Sequence, residues 1–192
     1  MSTDPVQEFR SLSPDEQIKE GEDSLLSHIL ERGIETHAKY PNLGMDNLDA
    51  FLADRDCVRY PTRIVFEYGA EMAPHQFAQP EQDFRSTEAH AKVIYLRPIL
   101  KDRPDYAMAA IAYMLPLLNY GDIIGDEHCL IYTASLLGLS EDACYKLICE
   151  VADFCGSDER LQSEPDTHTP VSDPGPLPTM NGGSCGSGCG CG

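Results

Sequence analysis

The run Ala107-Met-Ala-Ala-Ile-Ala-Tyr-Met-Leu-Pro-Leu-Leu118 constrains the fold more than any other segment of this chain. Pro104-Asp105 just before it makes a helix start, because proline lacks an N–H that the first turn leaves unpaired anyway. A helix over 107–118 is apolar on every face, so other elements have to surround it. The run is too short to span a bilayer, which takes about 20 apolar residues. It predicts a central core helix, with Pro116 expected to kink or end it.

Helical signals on either side supply the surroundings. Ser13-Pro14-Asp15-Glu16 combines a serine cap, a proline at the first helical position and a glutamate placed to complete a capping box. Leu25, Leu26, Ile29, Leu30 and Ile34 then recur at helical spacing up to Tyr40-Pro41-Asn42, with Gly21 and Gly33 expected to weaken the helix ends. A short helix is expected over 46–53, around Leu48, Phe51 and Leu52. Another is expected over 127–137, closed by Gly138. Ser140-Glu-Asp caps a further helix that carries Cys144, Leu147, Ile148, Val151 and Cys155 along one stripe.

Between these lie two segments rich in β-formers. Residues 62–68 are bounded by Pro61 and Gly69, and residues 91–96 are stopped by Pro98. The residues between them, 69–90, contain Pro74 and Pro80 and show no clear period, so they are either functional or conceal an element. The expected fold is mainly α (α+β): flexible residues 1–12, then a single helical domain over 13–156 with a small two-stranded β element. Residues 157–192 read as a disordered Pro/Gly-rich tail. From Gly156 onward stand five of the 14 prolines and eight of the 15 glycines, and after Leu161 the only aliphatic side chains are Val171, Leu177 and Met180.

Charge narrows the function classes. With 14 Lys+Arg against 32 Asp+Glu the net charge is −18. Phosphate backbones and anionic membrane surfaces repel such a chain, so neither nucleic acid nor membrane is an expected partner. Residues 1–8 have neither a basic nor an apolar run, so no secretory signal is expected and the localisation is expected to be cytoplasmic. Thiols stay reduced there, and the eight cysteines then read as core residues, metal ligands or redox groups.

Three of those cysteines stand apart. Cys185-Gly-Ser-Gly-Cys189-Gly-Cys191 places three thiols within seven positions, separated by glycine and serine alone. Such a string has nothing to bury, but it wraps easily around something small. Thiolates are soft ligands that suit Zn, Cu(I) and iron–sulfur clusters. A tetrahedral site wants four ligands, and the fourth would come from Cys155, from His168, from a client protein or from a second copy of the chain. Cys189-Gly-Cys191-Gly resembles the Cys-Gly-Cys-Gly near the end of A-type iron–sulfur carrier proteins, which also use one upstream cysteine at about the distance of Cys129. That resemblance covers these few residues and implies ligand chemistry, since the A-type fold is β-rich and residues 104–155 read as helical. Gly182-Gly183 followed by a Cys/Gly-rich end also resembles precursor peptides whose ends are enzymatically modified. Cys57, Cys129, Cys144 and Cys149 are expected in the core, although Cys149 lies well round its helix from Cys144 and Cys155.

A second group falls in 69–90, with Glu71, His75, Glu81, Asp83, Glu88 and His90. Glu71 and His75 would share one face of a helical turn, and Glu88 and His90 one side of a strand. Two histidines and two carboxylates would suit Zn, Fe or Mn and would lower the pKa of a bound water. Asp122, Asp126, Glu127 and His128 form another cluster, which a helix dipole accounts for. No Gly-x-Gly-x-x-Gly, phosphate-binding loop or Gly-x-Ser-x-Gly elbow is present, so nucleotide binding and serine hydrolase chemistry have no support.

The function expected from these patterns is a metal- or iron–sulfur-binding accessory protein of metallochaperone type. Its domain would recognise a client while Cys185, Cys189 and Cys191 hold and pass the metal. One alternative is a metal-dependent hydrolase or oxidoreductase using Glu71, His75, Glu88 and His90. Another is a non-catalytic protein-interaction domain.

Overall fold

The structure, a computed structural model, describes residues 9–157 apart from Glu71, Pro74 and His75. Its helices are α1 (Pro14–Lys39), α2 (Leu48–Ala53), α3 (Pro104–Tyr120), α4 (Asp126–Leu137) and α5 (Glu141–Gly156), with strands β1 (Thr62–Val65), β2 (Ala78–Gln82) and β3 (Lys92–Leu96) between α2 and α3. The fold is mainly α with a small sheet, which has three strands where the β-former pattern predicts two.

α3 is the central helix that its composition demands. Ten of its residues are buried, including the unbroken run from Ala107 to Ala112, so no side of this helix faces solvent along its middle. It packs against α4, α5, β2 and β3. Pro116 does not end it: the helix runs on to Tyr120, and Pro116 is itself buried. A proline inside a helix removes one backbone hydrogen bond, and burial on every side outweighs that local loss.

Local end signals act where the sequence places them. The Ser13 hydroxyl accepts the Glu16 N–H at 3.4 Å and the Ser13 N–H donates to the Glu16 carboxylate at 2.8 Å, completing a reciprocal cap. Ser140 caps α5 by accepting the Ala143 N–H at 3.3 Å. Gly138 ends α4 in the left-handed conformation at φ 67°. α1 runs for 26 residues straight through Gly21 and Gly33, so neither glycine ends it. Gly33 is buried against α4, and a Cβ there would meet the Ser135 Cβ at 2.7 Å. Its lack of a side chain lets the two helices approach.

The sheet has the order β1-β3-β2, with β3 parallel to β1 and antiparallel to β2. β3 is central, and its Val93, Ile94 and Leu96 are buried. β2 is the element hidden in residues 69–90. Pro80 masks it in the sequence, yet β2 lies at the sheet edge, where a missing N–H removes no bond from an interior ladder. Arg97, just past β3, reaches back under this segment and is fully buried; its Nε donates to the Gln76 carbonyl at 2.6 Å and its Nη2 to the Ala73 carbonyl at 2.9 Å. Among the described residues no helix is long and apolar enough to cross a membrane.

Candidate functional site

The cysteines divide by environment. Cys185, Cys189 and Cys191 lie outside the described residues, as does His168. Cys155, the nearest candidate for a fourth ligand in sequence, is fully buried in the core beside Val151. To reach a metal it would have to leave that packing. Burial pushes the Cys129 thiol up to about 12, helped by the nearby Asp126 charge, and pushes Cys144 up to about 11. Cys57 is raised as well, first by burial and then by the Asp54 carboxylate, whose Oδ2 lies 3.6 Å from its Sγ. Cys149 corrects the expectation of a core residue: it is exposed. Its position well round α5 from Cys144 and Cys155 carries it off the buried face.

The carboxylates and histidines of 69–90 are placed differently from the expected arrangement. Glu71 and His75 lie outside the described residues. Glu88 and His90 do not sit on a strand, because β3 begins at Lys92; both lie in the turn between β2 and β3, and both are exposed. His90 takes φ 59°, a left-handed conformation in which histidine is tolerated better than most side chains, and its ring lies 6.3 Å from that of Tyr60. Asp83 organises this turn. Its buried carboxylate takes a two-pronged ion pair from Arg63 (2.5 and 3.1 Å) and the Arg85 N–H at 3.0 Å, and the Arg63 guanidinium holds its pKa below the usual carboxylate value. Glu81 stands on β2. Among the described residues no three His, Cys, Asp or Glu side chains form a group able to hold a metal ion.

The acidic cluster near residue 126 serves the helix. The Gly125 N–H donates to His128 Nδ1 at 3.3 Å, Asp126 and Glu127 occupy the first turn of α4, and Asp126 accepts the Tyr113 hydroxyl at 3.2 Å. These are capping and dipole roles.

A basic pocket went unnoticed in the sequence patterns. It has a volume of about 220 Å³ and is lined by Arg32 of α1, by Arg55 and Arg59 of the loop 54–61, by Asn119 and Tyr120 at the end of α3 and by Tyr132 of α4. Asn119 ties the loop to α3, since its Oδ1 accepts the Arg59 N–H at 2.9 Å and its Nδ2 donates to the Cys57 carbonyl at 3.1 Å. Arg32 donates to the Asp56 carbonyl and pairs with Glu35 at 2.6 Å. Arg55 Nη1 donates to the Leu52 and Val58 carbonyls, each at 3.3 Å. The Arg59 guanidinium lies over the Tyr60 ring, 5.4 Å from its centroid. Among the described residues the buried Tyr132 hydroxyl has no hydrogen bond of ordinary geometry; it interacts with Thr36 beside it, which gives its own proton to the Arg32 carbonyl at 2.6 Å. Burial holds the Tyr132 phenol up at about 12, so it stays a donor at neutral pH. The one signal in the sequence is Arg55, Arg59 and Arg63 at every fourth position in a chain poor in basic residues. No family model, curated protein or solved structure matches this chain.

Proposed function

We propose that this chain is a metal- or iron–sulfur-binding accessory protein. In this reading Cys185, Cys189 and Cys191 capture a soft metal (zinc, iron or copper) or a cluster and hand it on, while the helical domain recognises the receiving client or a second copy of the chain. One observation supports the reading: four of the five described cysteines are buried. Cys57, Cys129, Cys144 and Cys155 are withdrawn into the core, and for the first three burial disfavours the thiolate that a metal requires. Of the described cysteines that leaves Cys149 exposed on α5 as a lone thiol, and the closely spaced set that a metal needs falls to the glycine-separated Cys185, Cys189 and Cys191, whose thiols would release protons as the metal binds. The net charge of −18 supports it further by drawing cations toward the protein. A cytoplasmic location belongs to the same reading, because free thiols persist there.

Elemental analysis of the intact chain and of one lacking residues 181–192 tests it. Metal is expected in the first and not in the second, with Cys189→Ser giving an intermediate content. Equal metal content in all three would overturn the proposal.

A further inference from the structure

We propose that the arginine-lined pocket between the loop 54–61 and helices α1, α3 and α4 is a binding site for a small phosphate-bearing anion, with Arg59, Arg55 and Tyr132 as its donors. This goes beyond the metal-binding reading and does not depend on it.

The argument begins with charge. The chain has 14 basic side chains against 32 acidic ones, yet three arginines face one pocket of about 220 Å³. Only part of their hydrogen-bonding capacity is used among the described residues. Arg32 is committed to Glu35 and the Asp56 carbonyl. Arg55 spends Nη1 on two loop carbonyls, and no hydrogen bond from its Nε or Nη2 is made to the described residues. The Arg59 guanidinium makes no hydrogen bond or ion pair among the described residues; it lies over the face of Tyr60 and close enough to Tyr120 to act on it electrostatically. A guanidinium offers five N–H donors in a planar fork that matches a phosphate or carboxylate edge.

The surrounding groups point the same way. Tyr132 is 2% exposed and brings its hydroxyl to the pocket wall, where among the described residues it has only the nearby Thr36 hydroxyl and no hydrogen bond of ordinary geometry, so an acceptor in the pocket would satisfy it better. Tyr120 is already engaged, its hydroxyl sharing a hydrogen bond with His28 Nε2 at 3.0 Å. Asp56 also lines the pocket, but its side chain is 86% exposed and is drawn outward to Lys39 Nζ at 3.3 Å. Asn119 fixes the loop backbone from both sides, so the positions from which the exposed Arg55 and Arg59 side chains extend are set before any ligand arrives.

Size and charge choose the ligand class. A long polyanion would feel the whole acidic surface and be repelled. A small anion inside the pocket is governed by charges within about one Debye length, roughly 8 Å at physiological salt, where the guanidiniums dominate. Phosphate is favoured over a single carboxylate because its oxygens accept from several directions at once, as donors from a loop and a separate helix require.

The test is titration calorimetry on the full chain with inorganic phosphate, glycerol phosphate and succinate, against sodium chloride at matched ionic strength. Saturable binding of both phosphates is expected. Arg59→Ala should weaken it about tenfold or more, the scale of one lost charge-assisted contact. Arg59→Lys should fall between, and Tyr132→Phe should weaken binding while keeping the ring. Because the Arg59 guanidinium makes no hydrogen bond among the described residues, Arg59→Ala should melt only slightly below the wild type without phosphate, by the loss of its Tyr60 contact, and should lose the rise that phosphate gives the wild type. Phosphate acting no differently from chloride, unchanged affinity in Arg59→Ala, or binding of succinate without phosphate would each overturn the proposal.

Discussion

Gly33 of α1 and Ser135 of α4 face each other with no room for a further methyl group: a Cβ on Gly33 would lie 2.7 Å from the Ser135 Cβ and 3.1 Å from the Tyr132 carbonyl oxygen. Neither neighbour is the free end of a flexible side chain. Gly33→Ala is therefore expected to destabilise the domain by about 1–3 kcal/mol, although alanine is the better helix former. Gly21, on the same helix, has nothing within 4 Å of its Cβ position, and Gly21→Ala should stabilise by roughly 0.5–1 kcal/mol. Urea unfolding of the two variants should move in opposite directions, and a shared sign would refute this account of Gly33.

Acid should weaken the joint between α1 and the loop that follows α2. Asp54 accepts from Lys39 Nζ at 2.5 Å and from the Tyr40 hydroxyl at 2.9 Å, and chiefly through Lys39 its carboxyl is held down at about 2. An unfolded aspartate titrates near about 3.9. A carboxyl depressed in the folded state adds stability above the unfolded value and loses it as pH falls through the folded one. Melting temperature should drop between about pH 4 and pH 2, and Asp54→Asn should be less stable at neutral pH with a flatter acid limb. An unchanged limb in the variant would rule Asp54 out as a source of the acid sensitivity.

Thiol labelling followed by peptide mapping should separate the five domain cysteines. Cys149 is exposed and should react within the native state, whereas Cys57, Cys129, Cys144 and Cys155 are buried and should react only as the domain opens. Denaturant should raise labelling of those four together. Rapid native labelling of Cys129 or Cys144 would contradict their raised thiol pKa values.

Arg97 should prove the main support of the segment before β2. Arg97→Met keeps much of the apolar stem but leaves the Gln76 and Ala73 carbonyls without their donor, at a cost of about 1–3 kcal/mol. Limited proteolysis should then cut between residues 69 and 77 faster than in the wild type. Wild-type resistance in that segment would show that other contacts hold it.

How much of this was legible depended on the range of the interaction involved. Ser13 with Glu16, Ser140 with Ala143, and Gly138 act within a few residues, so their helix ends can be read from the chain directly. The central place of α3 follows from composition alone. β2 escaped because Pro80 is a breaker in a local reading and harmless at a sheet edge, and edge position is a property of the assembled sheet. Gly33 misled in the same way, since the surface that needs its smallness belongs to another helix. Cys149 was recoverable: helical spacing already separated it from Cys144 and Cys155, and that geometry outweighed the general tendency of cysteine to be buried. The arginine pocket draws on α1, the loop 54–61, α3 and α4, so no spacing rule brings Arg32, Arg59 and Tyr132 together.

The pairing of the first long helix with α4 also bears on how the chain is made. His37 of α1 binds the Leu136 carbonyl across a separation of 99 residues. A ribosome therefore delivers α1 long before the surface that receives Ile29, Gly33 and Thr36 exists. The nascent helix has to wait with that face uncovered until α4 emerges, and closing so long a loop is slow relative to local helix formation. A chain halted anywhere before α4 lacks the surface that covers Ile29, Gly33 and Thr36, so the first long helix is secured only once residues a hundred positions later have been made.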